Sequence, residues 1–258
     1  MDKKNRVAEN SNRKGKGTEQ PLPVSKEMFV EALVNTAQIN EAKEKQKGFL
    51  CMFSGGLDST AMLHALLTNE EYKDFDVYIH HMRILNRENR DAVETQAARK
   101  IVQYYHQRKD IREFDYKEST LDMTSMGEKW SPRFSFDIDA VCWMAAQICL
   151  AKPNIKYAAM AVTKDDLDSP QDDTTIQRVT EAPRIFDAAL YMFPKPWPKP
   201  QFIYPTQNLT KEDLWKTMPP NLQKMTWSCR VPVWKDGVAH RCGRCHTCIK
   251  RKEYGIDS

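Results

Sequence analysis

No apolar run in this 258-residue chain approaches the roughly 20 residues a membrane-spanning helix needs, so no helix is expected to cross a bilayer. The first twenty residues are polar and basic and hold no apolar signal-peptide core, so a cytoplasmic location is expected. No internal repeat is visible, which argues against a solenoid or propeller. There is little excess charge of either sign: 39 Lys and Arg stand against 35 Asp and Glu, a formal net charge of +4. That balance suits a protein handling anionic ligands and does not require nucleic acid. What is present, 41% hydrophobic and 29% charged residues, describes a globular chain long enough to bury a sizeable core.

Residues 1–22 read as a basic tail (Lys3, Lys4, Arg6, Arg13, Lys14, Lys16), solvated and disordered rather than bound to nucleic acid. Residues 23–225 read as the main domain and residues 226–258 as a small C-terminal module. Helical periodicity covers 26–45, with Met28, Phe29, Ala32, Leu33 and Ile39 on one face and Gly48 as its stop. Strands are expected at 49–53, 75–80, 112–116, 157–162 and 202–205. Helices are expected at 60–67, 89–107, 136–150 and 174–192, the last broken or kinked by Pro183. The proline-rich segment 194–200 reads as a rigid surface connection. Another helix starts at Thr210, an N-cap hydroxyl. Strands alternating with helices imply an α/β fold with a parallel sheet, whose ligands bind beyond the carboxyl ends of the strands.

The most informative segment is Ser54-Gly55-Gly56-Leu57-Asp58-Ser59-Thr60, between an apolar strand and an amphipathic helix. Two glycines allow a tight turn and close approach of a ligand. Backbone N–H groups at the helix start, with the Ser54, Ser59 and Thr60 hydroxyls, make a cradle for anionic oxygens. The Gly-Lys-Ser/Thr of a Walker loop is missing. Five fixed letters of this kind arise by chance in roughly one chain in several thousand, so a functional loop is favoured over a plain turn. Ser-Gly-Gly-x-Asp-Ser resembles the PP-loop of the N-type ATP pyrophosphatases, which cleave ATP between the α and β phosphates and adenylate a substrate oxygen.

Of seven cysteines, Cys229, Cys242, Cys245 and Cys248 fall in the last 30 residues. Four thiolates at these spacings suit a tetrahedral zinc ion. A redox Cys-x-x-Cys, an iron–sulfur cluster and a set of unrelated buried cysteines are the other readings. His240 and His246 are competing ligands, His246 being expected to point outward. Cys51, Cys142 and Cys149 sit in apolar patterns and read as core.

Together the loop and the cysteine cluster resemble the 7-cyano-7-deazaguanine synthase (QueC) family. Its terminal motif is matched by Cys229…Cys242-Gly243-Arg244-Cys245-His246-Thr247-Cys248-Ile249-Lys250-Arg251, with a longer first spacing. Its threonine-proline segment before a lysine-bearing helix is similar to Tyr204-Pro205-Thr206…Thr210-Lys211. Its Gly-Tyr-Pro-Asp-Cys-Arg substrate segment is replaced by residues 165–173, in which Asp166 and Asp172 keep two acidic positions. Ser131-Pro132-Arg133 is the nearest echo of its Val-Pro-Gly-Arg-Asn.

The resemblance implies a HUP-like, Rossmann-type PP-loop domain with a zinc-binding C-terminal segment, using ATP, Mg²⁺ and Zn²⁺. The activity it implies is ATP-dependent conversion of 7-carboxy-7-deazaguanine and ammonia to the nitrile preQ0, by an adenylated carboxylate and an amide. On that reading Ser54, Gly55, Gly56, Asp58, Ser59 and Thr60 bind ATP, and Asp58, Lys211 and Arg251 are catalytic. Asp166, Asp172 and Arg133 meet the substrate. A homodimer is the default assembly, with no membrane and no required nucleic acid. The alternatives are a PP-loop tRNA sulfurtransferase, an enzyme of this kind that stops at the amide, and a nucleotide-binding module without catalysis.

Overall fold

The computed structural model describes residues 47–127, 137–168, 173–191 and 198–255. The expected tail, the helix at 26–45 and most of the proline-rich segment lie outside them, as do Arg133 and Asp172. The described residues belong to one compact unit, Gln38–Ser258. No described helix is long and apolar enough to cross a membrane.

The centre of the fold is β1 (Gly48–Met52), buried at every position. Phe49 and Cys51 face one core, Leu50 and Met52 the other, because successive side chains leave a strand on opposite sides. A strand covered on both faces needs an unbroken apolar run, and this run is what marks it in the sequence. β2 (Asp76–Leu85) and β4 (Ile155–Ala159) flank it, and β3 (Phe114–Asp122) and β5 (Gln201–Ile203) form the edges. All pairings are parallel, in the order β3-β2-β1-β4-β5. This is the expected α/β architecture, with its switch of strand order beside β1.

One face of the sheet is covered by α1 (Leu57–Thr68), α2 (Asp91–His106), α6 (Lys211–Thr217) and α7 (Pro220–Met225). On α2 the expected inward residues Val93, Ala97, Ile101, Val102 and Tyr105 are all buried. The other face is covered by α3 (Asp137–Ala151) and α5 (Asp173–Tyr191), packed through Cys142, Ala145, Ala182 and Phe186. A short α4 (Lys164–Leu167) follows β4. The chain ends in a two-stranded hairpin, β6 (Val233–Lys235) with β7 (Val238–His240), and α8 (His246–Glu253). Asp236 (φ 49°) and Gly237 (φ 75°) turn the hairpin, as an Asp-Gly pair suits.

Three expectations change. Gly48 opens β1, and the helix it was expected to stop lies outside the described residues. A Cβ there would lie 2.8 Å from the Ile155 Cα and 2.9 Å from the Asn154 carbonyl, so glycine lets β1 and β4 meet. β2 and β3 run on to Leu85 and Asp122, past the apolar stretch that marked them, because they continue to pair as a half-exposed ribbon. β4 begins two residues early and ends at Ala159, although Val162 beyond it is still buried. α5 runs through Pro183 without a break. The lost helix interactions, about 3 kcal/mol, are offset by packing of Val179, Ala182, Phe186 and Ala189.

Candidate functional site

Beyond the carboxyl ends of β1 and β4, where the strand order switches, lies a cleft of about 530 Å³. The Ser54–Ser59 loop forms its floor. Gly55 takes φ 77°, and a Cβ there would lie 2.7 Å from the Ala98 backbone nitrogen, so only glycine fits. Gly56 is the extended N-cap of α1. The Gly56 N–H donates to Ser54 Oγ at 3.2 Å, and the Ser54 and Ser59 hydroxyls are bonded at 2.9 Å. The loop is thus shaped by its own hydroxyls. Thr60 departs from the expected cradle: it is fully buried and its hydroxyl donates to the Gly56 carbonyl at 2.6 Å, inside the helix turn.

Three distant segments meet above the loop. Lys211 Nζ, at the first position of α6, donates to Asp58 Oδ2 at 3.0 Å and to Asp166 Oδ1 at 2.9 Å. Asp166 is held by a capping box, accepting from the Thr163 N–H at 3.0 Å and hydroxyl at 2.7 Å. Asp165 accepts the Lys211 backbone N–H at 2.6 Å. Burial pulls the Lys211 pKa down, but Asp58 and Asp166 raise it further, so the ammonium stays charged. Burial pushes the Asp58 carboxyl above its ordinary range against the opposing pull of Lys211. For Asp166 burial also works upward, yet Lys211 outweighs it and the net shift is downward. Asp58 Oδ1 is buried without a partner. An oxygen so placed fits a hard cation, since Mg²⁺ typically takes one or two carboxylates along with phosphate oxygens.

The side walls carry charge and imidazole. Arg90 pairs with Glu88, Glu94 and Asp137, and Arg230 also reaches Asp137 at 3.7 Å. Burial raises Glu94 to about 7 despite Arg90 beside it. His81 Nδ1 lies 2.9 Å from the Phe53 carbonyl, which can only accept. Its Nδ1 therefore carries the proton, and Nε2 accepts from the Thr95 hydroxyl at 3.0 Å. This histidine is structural and anchors the start of the loop. His80, lowered to about 4 by burial and by His81, lines the cleft with Nδ1 unpartnered.

The four terminal cysteines come together. All four sulfurs lie within 4.8 Å of one another, and Cys242 and Cys248 are 3.9 Å apart. A single ion held tetrahedrally at about 2.3 Å sets its sulfurs roughly 3.8 Å apart, so the group fits one ion. The Cys242 N–H points at Cys229 Sγ and the Cys245 N–H at Cys242 Sγ, both at 3.3 Å, as suits thiolates. Neither His240 nor His246 joins the group; His246 is exposed and lines the cleft.

This module also pins the glycine loop. The Trp227 N–H donates to the Gly55 carbonyl at 2.9 Å. Ser228 Oγ accepts the Leu57 N–H at 3.1 Å, at the N-terminus of α1 where an anion's oxygen would otherwise be received. Sequence reasoning missed both residues, along with Arg90 and Asp165. The only local hint is that Trp227 and Ser228 directly precede Cys229.

Arg251 is buried and is not among the residues lining the cleft, donating to Thr226 Oγ1 at 3.1 Å with its guanidinium 5.6 Å from the Trp215 ring centre. Its place on α8 turns it toward α6, so it clamps the module to the domain. Thr206, from the threonine-proline segment, ties the chain after β5 to the chain after β4, its hydroxyl donating to the Val162 carbonyl at 2.7 Å. The Thr210 cap on Asp213 is as expected.

No protein-family model and no curated protein matches this chain. Among solved structures it is similar to the U34-tRNA thiolase NcsA from Methanococcus maripaludis with its [4Fe-4S] cluster. The identity is 15% and the TM-score 0.47, over 85% of this chain and 71% of that one. A likeness at that level leaves the activity to be argued from the site.

Proposed function

We propose that this protein is an ATP-dependent enzyme that cleaves ATP between its α and β phosphates and adenylates an oxygen of a purine-like substrate. The observation that carries this reading is the meeting of Asp58, Asp166 and Lys211 over a glycine loop at the switch point of a parallel sheet. The loop N–H groups and the Ser54 and Ser59 hydroxyls would cradle the pyrophosphate, and Lys211 would oppose its charge as it leaves. Asp58 Oδ1 would hold Mg²⁺, which neutralises phosphate charge when bound. The four cysteines would hold zinc. Four protein ligands close the ion, so its part is to fold the module and keep Trp227 and Ser228 on the loop.

For the acceptor we favour the carboxylate of 7-carboxy-7-deazaguanine. Adenylation converts its poor hydroxide leaving group into AMP and releases pyrophosphate. Ammonia then displaces AMP to give an amide. A second ATP adenylates the amide oxygen, and loss of AMP and a proton leaves the nitrile.

Thiolation of a tRNA base shares the adenylation step and differs in the nucleophile. It is the activity of the similar structure, a likeness that does not choose between nucleophiles. Delivery of sulfur by cysteine needs an accessible thiolate. Cys51, Cys142 and Cys149 are all buried, and burial pushes their thiols up, to about 12 for the latter two. The other four close on one another.

Mass spectrometry of a reaction with 7-carboxy-7-deazaguanine, ammonium, Mg²⁺ and ATP tests the choice. Nitrile with AMP and pyrophosphate is the expected result, and amide alone would mark an enzyme that stops one step short. Sulfur incorporated into tRNA, with neither of these products, would select thiolation. No AMP with any acceptor would overturn adenylation itself.

A further inference from the structure

Besides the cleft there is an open groove of about 870 Å³ between α2, α7 and the β6–β7 hairpin. Three cations line it, Lys100, Lys224 and Arg241, and no carboxylate does. Three aromatic side chains line it too: Tyr104, Trp227 and Trp234. Trp234 is 38% exposed although its indole N–H is fixed on the Asn89 carbonyl at 3.3 Å, so the ring is held in place with accessible surface. The Arg241 guanidinium lies 5.1 Å from the Trp227 ring centre. Trp227 lines both the groove and the cleft.

Fixed aromatic faces interleaved with cations, and no opposing acid, match one ligand class. Every nucleobase has a face that stacks on an aromatic ring, and every linkage carries a phosphate for a cation. An acidic peptide would satisfy the cations and leave the rings unused. We propose that this groove binds single-stranded nucleic acid, with a base stacked on Trp234 and flanking phosphates on Lys100 and Lys224. The proposal is independent of which acceptor is adenylated in the cleft. None of these three residues belongs to the catalytic machinery.

The test is fluorescence anisotropy of a labelled oligouridylate of about 10 nucleotides, within the range of single-strand site sizes. The full chain should bind it more tightly than a duplex of equal length. The slope of log K on log salt should be about −1.4, from two lysines at roughly 0.7 each. Trp234→Ala should weaken binding by about 5- to 160-fold, the range for losing one stacked base, while Trp234→Phe should retain most of it. The pair Lys100→Glu and Lys224→Glu should weaken binding at least as much. Nucleotide binding at the cleft and the circular dichroism spectrum should not change in either case. If the alanine variant fails to fold, the phenylalanine and lysine variants carry the test. No binding at low salt, equal binding by the lysine variant, or equal competition by polyglutamate would overturn the proposal, the last assigning the groove to acidic peptides.

Discussion

The glycine loop and the cysteine module touch each other, yet they hold their shapes in different ways. The loop is shaped by what is covalently close: Gly55 at positive φ, Gly56 as N-cap, and hydroxyls of Ser54 and Ser59 bonded across the turn. The module has little to bury beyond Thr226, Cys229, Cys248 and Arg251, and its hairpin is exposed except at the half-buried Ala239. A segment that buries so little is expected to take its order from an ion on the four cysteines, whose sulfurs lie close enough to hold one. The preformed element then leans on the one that needs a ligand. Trp227 and Ser228, which bond to the loop, directly precede Cys229.

Breaking the module should therefore have the largest effect. Stripping the ion with a chelator, or changing Cys248→Ser, removes a contribution of about 10 kcal/mol on the scale of small zinc domains. ATP affinity measured by calorimetry should fall sharply as the module loosens. Unchanged affinity would show that the loop stands by itself. Next in size is Lys211→Met, which leaves Asp58 and Asp166 facing each other without a cation. About 3–5 kcal/mol of stability should be lost in denaturant titration, with AMP formation abolished. Gly55→Ala should cost about 1–3 kcal/mol through backbone strain, and more through the contact with Ala98. It should damage nucleotide binding with no effect on metal content. Ser228→Ala removes one bond to Leu57, about 1 kcal/mol. It should change ATP affinity only modestly, and whether affinity falls or rises tells whether Ser228 supports the cradle or occupies an anion's place in it.

The smallest effect is one of pH. Glu94 is raised to about 7 by burial, so the folded state holds its proton where the unfolded chain has released it. Its contribution is full at low pH and is lost as pH rises from the ordinary glutamate range through about 7. Glu94→Gln should flatten the pH dependence of stability over that window, as read from thermal midpoints. An unchanged profile would mean that Arg90 neutralises Glu94 completely.

Reading the chain in one dimension found what local physics encodes. Continuous apolar runs marked β1 and β4, inward-facing periodicity marked α2, a long apolar stretch marked α3, and two glycines before a helix marked the turn. It missed the ends of β2 and β3, where pairing continues without apolar residues, and it overweighted Pro183, where packing outweighs the local cost. In the site, Lys211 was marked by the resemblance carried by Tyr204-Pro205-Thr206…Thr210-Lys211, and the cysteine group by its spacing. Arg90, Asp165, Trp227 and Ser228 were not legible, because their roles rest on partners distant in the chain, and adjacency to Asp166 or Cys229 is the most that marks three of them.

The α/β class, the loop that turns at Gly55 and the four clustered sulfurs follow from the chain alone, since each rests on a pattern read along it: alternating elements, adjacent glycines and cysteine spacing. That Lys211 bridges Asp58 and Asp166, that Arg251 and Thr60 do not line the cleft, and that Trp227 joins the module to the loop comes from the tertiary fold. Those contacts span 153 residues in the case of Asp58 and Lys211. They exist because the parallel sheet brings the ends of β1, β4 and β5 to one edge, an arrangement that no local pattern carries.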